Sequence, residues 1–330
     1  MKNQWIRARG AKGLAAALAA LTAMAMPLLA RAAFPERPLR IVVPFTPGGG
    51  TDIIARQLAK GLTDALGQSV IVENRPGGST IIGTENVAKS PADGYSLLMA
   101  TFAHAVNPAI HKKLPYDTDK AFAPVALIGK SPNVLVVSPK SRFKSVQDIL
   151  AYARAHPGKL TFGSYGNGTS AHLAGEMFKS LGKVDILHVP YKGAGPGIND
   201  LMGGQIDMIF STSASVSGQI KNGQLRALAV STAERSAIVP DLPSMAESGV
   251  QDFDLNSWNG YFGPAGMPPE VVARLNDAIK QVVAKPDVRK RLAGLGFDAF
   301  SSSPEAFAQF VSEQRDLWGK LIRDAGIEQQ

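Results

Sequence analysis

The chain has 330 residues, 45% of them hydrophobic and 19% charged, with a formal net charge of +8 and no cysteine. That apolar content suits globular packing and excludes a disordered polymer, and the length suits two domains. Five of the basic residues (Lys2, Arg7, Arg9, Lys12 and Arg31) lie in the first 32 positions with no acidic residue among them. The remainder therefore carries only about +3, without the basic footprint of a nucleic-acid binder.

Those first 32 residues read as a secretory signal peptide. They have a basic start, an apolar run from Leu14 to Ala30, and an A-x-A cleavage pattern at Ala30-Arg31-Ala32. The run is short for a membrane span and contains Thr22 and Pro27. Export without disulfides puts the burden of stability on the core, and no cysteine stands at the cleavage site to take a lipid. The expected product is soluble in the periplasm.

From Leu39 the pattern alternates apolar runs with helical stripes, which predicts an α/β fold of parallel-rich sheets covered by helices. Leu39 to Phe45 reads as a strand, Thr51 to Leu66 as a helix, Ser69 to Glu73 as a strand, Ile81 to Lys89 as a helix and Tyr95 to Thr101 as a strand. A second set follows: strands at 134–138, 160–164, 185–189, 206–210 and 225–231, with helices at 145–156, 170–181, 198–202 and 216–221. Residues 239–269 read as loop-rich. The stripes Val272, Leu275, Ile279, Val283 and Phe307, Val311, Trp318, Leu321 then predict two more helices, with Pro304 suited to a helix start. The last helices need a sheet to cover, so the chain is expected to leave a first lobe near Gly129 and return near Asn256. This gives lobe one as 33–128 with 256–330 and lobe two as 129–255.

Several strand-to-helix junctions are rich in small residues: "PFTPGGGTD", "ATFAHAVNP", "GSYGNGTSAH", "PYKGAGPG" and "FSTSAS". Free N–H groups and helix dipoles at such junctions favour an anion. The three glycines Gly48 to Gly50 allow a tight turn and close approach to the main chain. Thr51 and Asp52 either line the ligand or cap the helix. Gly166-Asn167-Gly168-Thr169-Ser170-Ala171 fits G-x-G-x-x-A, but the next strand ends in Pro190-Tyr191-Lys192, with no carboxylate for a ribose. "PGGGTD" is no P-loop, no G-x-S-x-G elbow occurs, and the five histidines lack metal-ligand spacing; His172 and Glu176 form the nearest pair. Neither a cofactor, a metal nor a catalytic nucleophile is expected, which leaves a secreted hydrolase as the weaker alternative to a binding protein. Phe102, Tyr165, Tyr191 and Trp258 are candidate walls for an apolar ligand body, with core or hinge packing as their other reading.

The segments "PLRIVVPFTPGGGTDIIARQLAKGL", "VENRPGGSTIIGTENVAKSPADGYSLLMAT", "LTFGSYGNGTSAHLAGEMF" and "VPYKGAGPGINDLMGGQIDMIF" resemble, in order and over nearly the whole chain after the leader, the Bug-type receptors of tripartite tricarboxylate transporters. The resemblance implies a monomeric periplasmic binding protein of the Venus-flytrap kind. Such a protein captures a small carboxylate and delivers it to a permease with large and small membrane subunits, or serves as a sensor. By motif position it points to Phe45, Gly49, Gly50, Thr51 and Asp52 in the first lobe, and to Ser164, Tyr165, Gly166, Asn167 and Thr169 in the second. Thr101 and His104 are expected neighbours, with Asp207 and Ser211 from the strand "IDMIF". The first loop departs from the family's usual Pro-Pro-Gly-Gly at Thr46 and Gly48, which bears on ligand identity.

Overall fold

The computed structural model describes residues 34–324, 327 and 329; the expected leader lies outside them. Ten strands and ten α-helices occur among the described residues. β1 (Leu39–Val43) leads into α1 (Gly50–Leu66), β2 (Val70–Asn74), a 3-10 turn (Gly78–Thr80), α2 (Ile81–Ala88), β3 (Ser96–Thr101) and α3 (Phe102–Ile110). The long β4 (Phe122–Val137) is followed by α4 (Val146–Ala155), β5 (Thr161–Ser164), α5 (Ser170–Gly182), β6 (Leu187–Pro190), α6 (Ala194–Gly203), β7 (Met208–Thr212), α7 (Ser213–Lys221) and β8 (Arg226–Val230). β9 (Asn256–Pro264), α8 (Pro269–Ala284), α9 (Pro286–Ala293), β10 (Asp298–Ala299) and α10 (Pro304–Asp324) complete the order.

Local chemistry sets these limits. α1 buries Ile54, Leu58, Leu62 and Leu66 on one face and stops where Gly67 turns left-handed at φ 71°, a conformation glycine adopts without steric cost. α4 starts at a reciprocal capping box between Ser145 and Asp148, which satisfies two N–H groups of its first turn. α10 begins at Pro304, whose missing N–H costs nothing at that position.

The strands join in the order β2-β1-β3-β9-β4-β7-β5-β6, with β8 and β10 also pairing β4. Pairing is parallel at both ends, β1 with β2 and β3, and β5 with β6 and β7. In the middle it is antiparallel, β9 lying between β3 and β4, and β4 pairing β7 and β8. The parallel sheet expected from the βα alternation is thus confined to the flanks. β4 pairs β9 up to Pro132 and turns to β7 and β8 from Asn133. A proline has no N–H to give a ladder, so it marks the change of partner at low cost.

Several elements differ from the sequence expectation, among them α9 and β10, which fall where no element was expected. β9, in the stretch read as loop, is buried along eight of its nine residues. α3 occupies the junction read as loop and carries Pro108 inside it. β4 begins twelve residues before Val134, and α6 is twice as long as the expected 198–202. α10 covers the central strands: Phe307 and Trp318 are buried, Phe307 at 5.9 Å from the Trp258 ring and Trp318 at 4.8 Å from Phe102. Side chains of this size contribute about 1.5–3 kcal/mol each when fully buried.

Candidate functional site

The first loop is built by three different uses of glycine. Gly48 sits at φ +83°, which only glycine adopts freely. Gly49 is the N-cap of α1 in extended backbone and brings no capping side chain. Gly50 opens the helix, and its N–H donates to Ser215 Oγ of α7 at 2.8 Å. Asp52 is buried, and its carboxylate faces the loop: it accepts from the Gly48 N–H at 2.9 Å, Arg56 Nε at 3.0 Å and Asn74 Nδ2 at 3.0 Å. Asn74 also donates to the Phe45 carbonyl at 3.1 Å. Burial pushes the Asp52 carboxyl up, but the hydrogen bonds from Arg56, Gly48 and Asn74 outweigh it and hold the group below its ordinary value. Asp52 is therefore neither the N-cap nor a residue of the cavity wall; it braces the turn.

The second loop follows β5. The Ser164 hydroxyl, itself buried, meets half-buried His188 Nε2 at 2.6 Å and accepts from the Gly166 N–H. This Ser–His contact fixes the loop and presents no hydroxyl to the cavity. Tyr165 is buried with its hydroxyl on Ser211 Oγ. Thr169 caps α5, accepting from the His172 N–H and donating to the Gly166 carbonyl at 2.6 Å. Gly166 and Gly168 hold φ +119° and +76° and abut Ser79 and Asn107, and Asn167 lies between them.

Between the loops lies a cavity of about 30 Å³, room for a water molecule or two. Phe45, Gly49, Gly50, Thr51, Thr101 and Phe102 line it from one side, and Tyr165, Thr169, Ser170, Ala194, Thr212 and Ser215 from the other, with Ser257 of β9 between them. No lining residue is charged. Five helices start at this wall: α1 at Gly50, α3 at Phe102, α5 at Ser170, α6 at Ala194 and α7 at Ser213. Each N-terminus carries unpaired N–H groups and roughly half a positive charge, so the convergence favours a small anion without any cationic side chain.

Seven residues expected at the site meet here: Phe45, Gly49, Gly50, Thr51, Thr101, Tyr165 and Thr169. Asp52, Ser164, Gly166 and Ser211 stand outside the lining and hold its loops by hydrogen bonds, and half-buried Asn167 does not line the cavity either. His104 is elsewhere, buried in α3 with its ring on Phe262 at 4.7 Å and edge-on to Phe122 at 4.9 Å; burial lowers its pKa to about 4. Tyr191 points its hydroxyl at Asp200, 2.7 Å away. Asp207 precedes β7 and accepts from the Thr161 N–H at 2.9 Å; the cavity is at the opposite end of that strand, about 16 Å away at strand rise. Of the candidate walls, Phe102 and Tyr165 face the cavity, whereas Trp258 packs under α10. Ser170, Ala194, Thr212, Ser215 and Ser257 were not singled out in the sequence, although four of them sit in or beside the small-residue junctions. Among the described residues no cluster of ligating side chains could hold a metal ion.

Residues 54–327 match the family model described as the tripartite tricarboxylate transporter family receptor. A Pseudomonas protein, the UPF0065 protein of the tcbD-tcbE intergenic region, is 40% identical over 291 residues, covering 88% of this chain and 87% of its own. Among solved structures, R. palustris Rpa4515 with adipate superposes with a TM-score of 0.88 at 35% identity, covering 90% of this chain and 100% of that one. MatC (Rpa3494) from Rhodopseudomonas palustris with bound malate gives 0.83 at 32% identity, covering 88% and 100%. Sheet order, crossing strands and these superpositions agree on a two-lobed α/β periplasmic binding protein fold. The chain belongs to the tripartite tricarboxylate transporter receptor family of solute-binding proteins.

Proposed function

We propose that this chain is an extracytoplasmic receptor that captures a small carboxylate between its lobes and delivers it to a permease of large and small membrane subunits. Lobe one comprises 33–128 and 256–330, lobe two 129–255, and β4 and β9 carry the chain between them. The leader is cleaved on export to the periplasm, and the receptor works as a monomer, by binding and without catalysis. The observation that carries this reading is the convergence of five helix N-termini on a cavity with no charged residue in its wall. Relatives that hold adipate and malate support a dicarboxylate as the ligand class.

The energies suffice without a salt bridge. Hydrogen bonds to a charged group contribute about 1.5–3 kcal/mol each and a helix N-terminus about 0.3–1 kcal/mol. Four or five such contacts, less several kcal/mol for ordering, leave about the 8 kcal/mol of a micromolar complex. A cavity of about 30 Å³ is far smaller than a dicarboxylic acid requires, so the lobes part to admit one and close around it. Calorimetry with malate, adipate and the corresponding diamides tests the reading: micromolar binding of an acid and none of its diamide is expected. No binding by any mono-, di- or tricarboxylate would overturn it.

A further inference from the structure

Three glycines at the cleft have ordinary backbone torsions. Gly49 lies at φ −77°, Gly50 is helical, and Gly193 is extended at φ 164°, so the chain itself does not require glycine at any of them. What a side chain would meet is the opposite lobe, closely at Gly49 and in collision at Gly50 and Gly193. A Cβ on Gly49 would stand 3.3 Å from the Ala194 Cβ, one on Gly50 2.8 Å from Ser215 Oγ and 2.9 Å from Thr212 Oγ1, and one on Gly193 would fall on the Thr46 hydroxyl. Gly195, two residues along, has nothing nearer than 3.9 Å.

Across this seam α1 receives the cap that it lacks. Its own N-cap is a glycine with no side chain to offer. The hydroxyl of Ser215 accepts from the Gly50 N–H at 2.8 Å and is held at 2.8 Å by Thr212 Oγ1. A serine at an N-cap normally precedes its helix in sequence; this one comes from another helix, 165 residues further along the chain.

We propose that Ser215 is a positioning residue for the ligand-free closed cleft. It caps α1 from the opposite lobe and latches the closed cleft, and Gly50 and Gly193 are glycine so that the lobes can come close enough for that bond. The latch rests on the two-lobe receptor reading above. Its chemistry involves only the protein, so the closed form is reached without ligand. The cavity of this latched form is too small for a dicarboxylate, so the bond opens when the lobes part to take one and frees the first N–H of α1 for the anion.

Because the chain has no cysteine, the closed cleft can be trapped directly. The Cβ separation at positions 49 and 194 is 3.3 Å, a few tenths of an ångström below the span of about 3.5–4.5 Å found in disulfides. The double variant Gly49→Cys/Ala194→Cys is expected to cross-link within one chain when oxidised glutathione takes up the two thiol electrons in the absence of any carboxylate. Adding Ser215→Ala should slow cross-linking about five- to tenfold, as loss of a helix cap implies. Adding Gly193→Ala should abolish it, and adding Gly195→Ala should leave the rate unchanged. Circular dichroism of each variant confirms that it is folded. Failure of the double variant to cross-link, or equal rates with and without Ser215→Ala, would overturn the latch. The readout uses no ligand, so failure of carboxylate binding in calorimetry would leave this result unaffected.

Discussion

Asp52 stands next to the cavity wall, yet its charge is spent on the loop. Replacing it with alanine removes the acceptor shared by Arg56, Asn74 and Gly48; these donors are exposed or half-exposed and turn to water, so the cost is about 0.5–1.5 kcal/mol. The expected outcome of Asp52→Ala is a lowered midpoint in urea together with weakened binding, because the turn that presents Gly49 to Thr51 loosens. Normal stability with weakened binding would instead make the carboxylate a ligand contact. The sign of the pH effect follows from its depressed pKa. The contribution is complete above the ordinary value of 3.8 and is lost as pH falls through the lower folded value. The buried histidines His104 and His172 and the half-buried His188 act over a different window. His104 and His188 are lowered to about 4 and His172 to about 3 from 6.5, burial being the main cause in each. Between the ordinary and the folded values the unfolded chain takes up protons that the folded one refuses, so stability falls as pH drops from 6.5 towards 4. His104→Phe, set among Phe122 and Phe262, should flatten that slope by about one proton in urea unfolding measured at several pH values. An unchanged slope would mean that His104 is protonated inside the fold.

Among the elements, β4 and β9 decide how the two halves are joined. Gly129 lies at a bulge of β4 at φ +147°, and a Cβ there would strike the Asp298 carbonyl and the Phe297 ring. Gly129→Ala should therefore lower unfolding stability by about 2–4 kcal/mol, measured in urea; a loss below 0.5 kcal/mol would show that the bulge relaxes freely. The same elements explain where sequence reading succeeded. α1 and α4 carry their own punctuation, Gly67 and the Ser145–Asp148 box, and were legible. β9 was not: "NSWNGYFGP" has the composition of a loop, and its glycines serve packing, since a Cβ at Gly260 would meet Phe307 and one at Gly263 would meet Met267. α3 was hidden by Asn107-Pro108, which signals a break but sits near the helix C-terminus, where Ile110 is buried among core side chains. For the site, the small-residue junctions located the wall. His104 and Asp207 do not line the cavity, since one motif position on a strand or helix says nothing of which end or face it occupies.

At the scale of the whole molecule, one principle joins fold and function. Strands enter the cleft from both lobes and end there, so five helices begin at one place and their dipoles add where no side chain carries charge. β4 and β9 tie the lobes together without filling the space between them, and the glycines let the two walls meet. Family membership and fold were carried by ordered motifs along the chain, whereas the antiparallel centre and the contribution of Ser257 arise only from tertiary pairing. The most direct measurement is a crystal structure with malate or adipate bound. Carboxylate oxygens are expected within about 2.7–3.2 Å of the N–H groups of Thr51 and of the first turn of α5. A ligand held by a lysine or arginine, or seated away from these helix starts, would contradict an anion site made of main-chain dipoles.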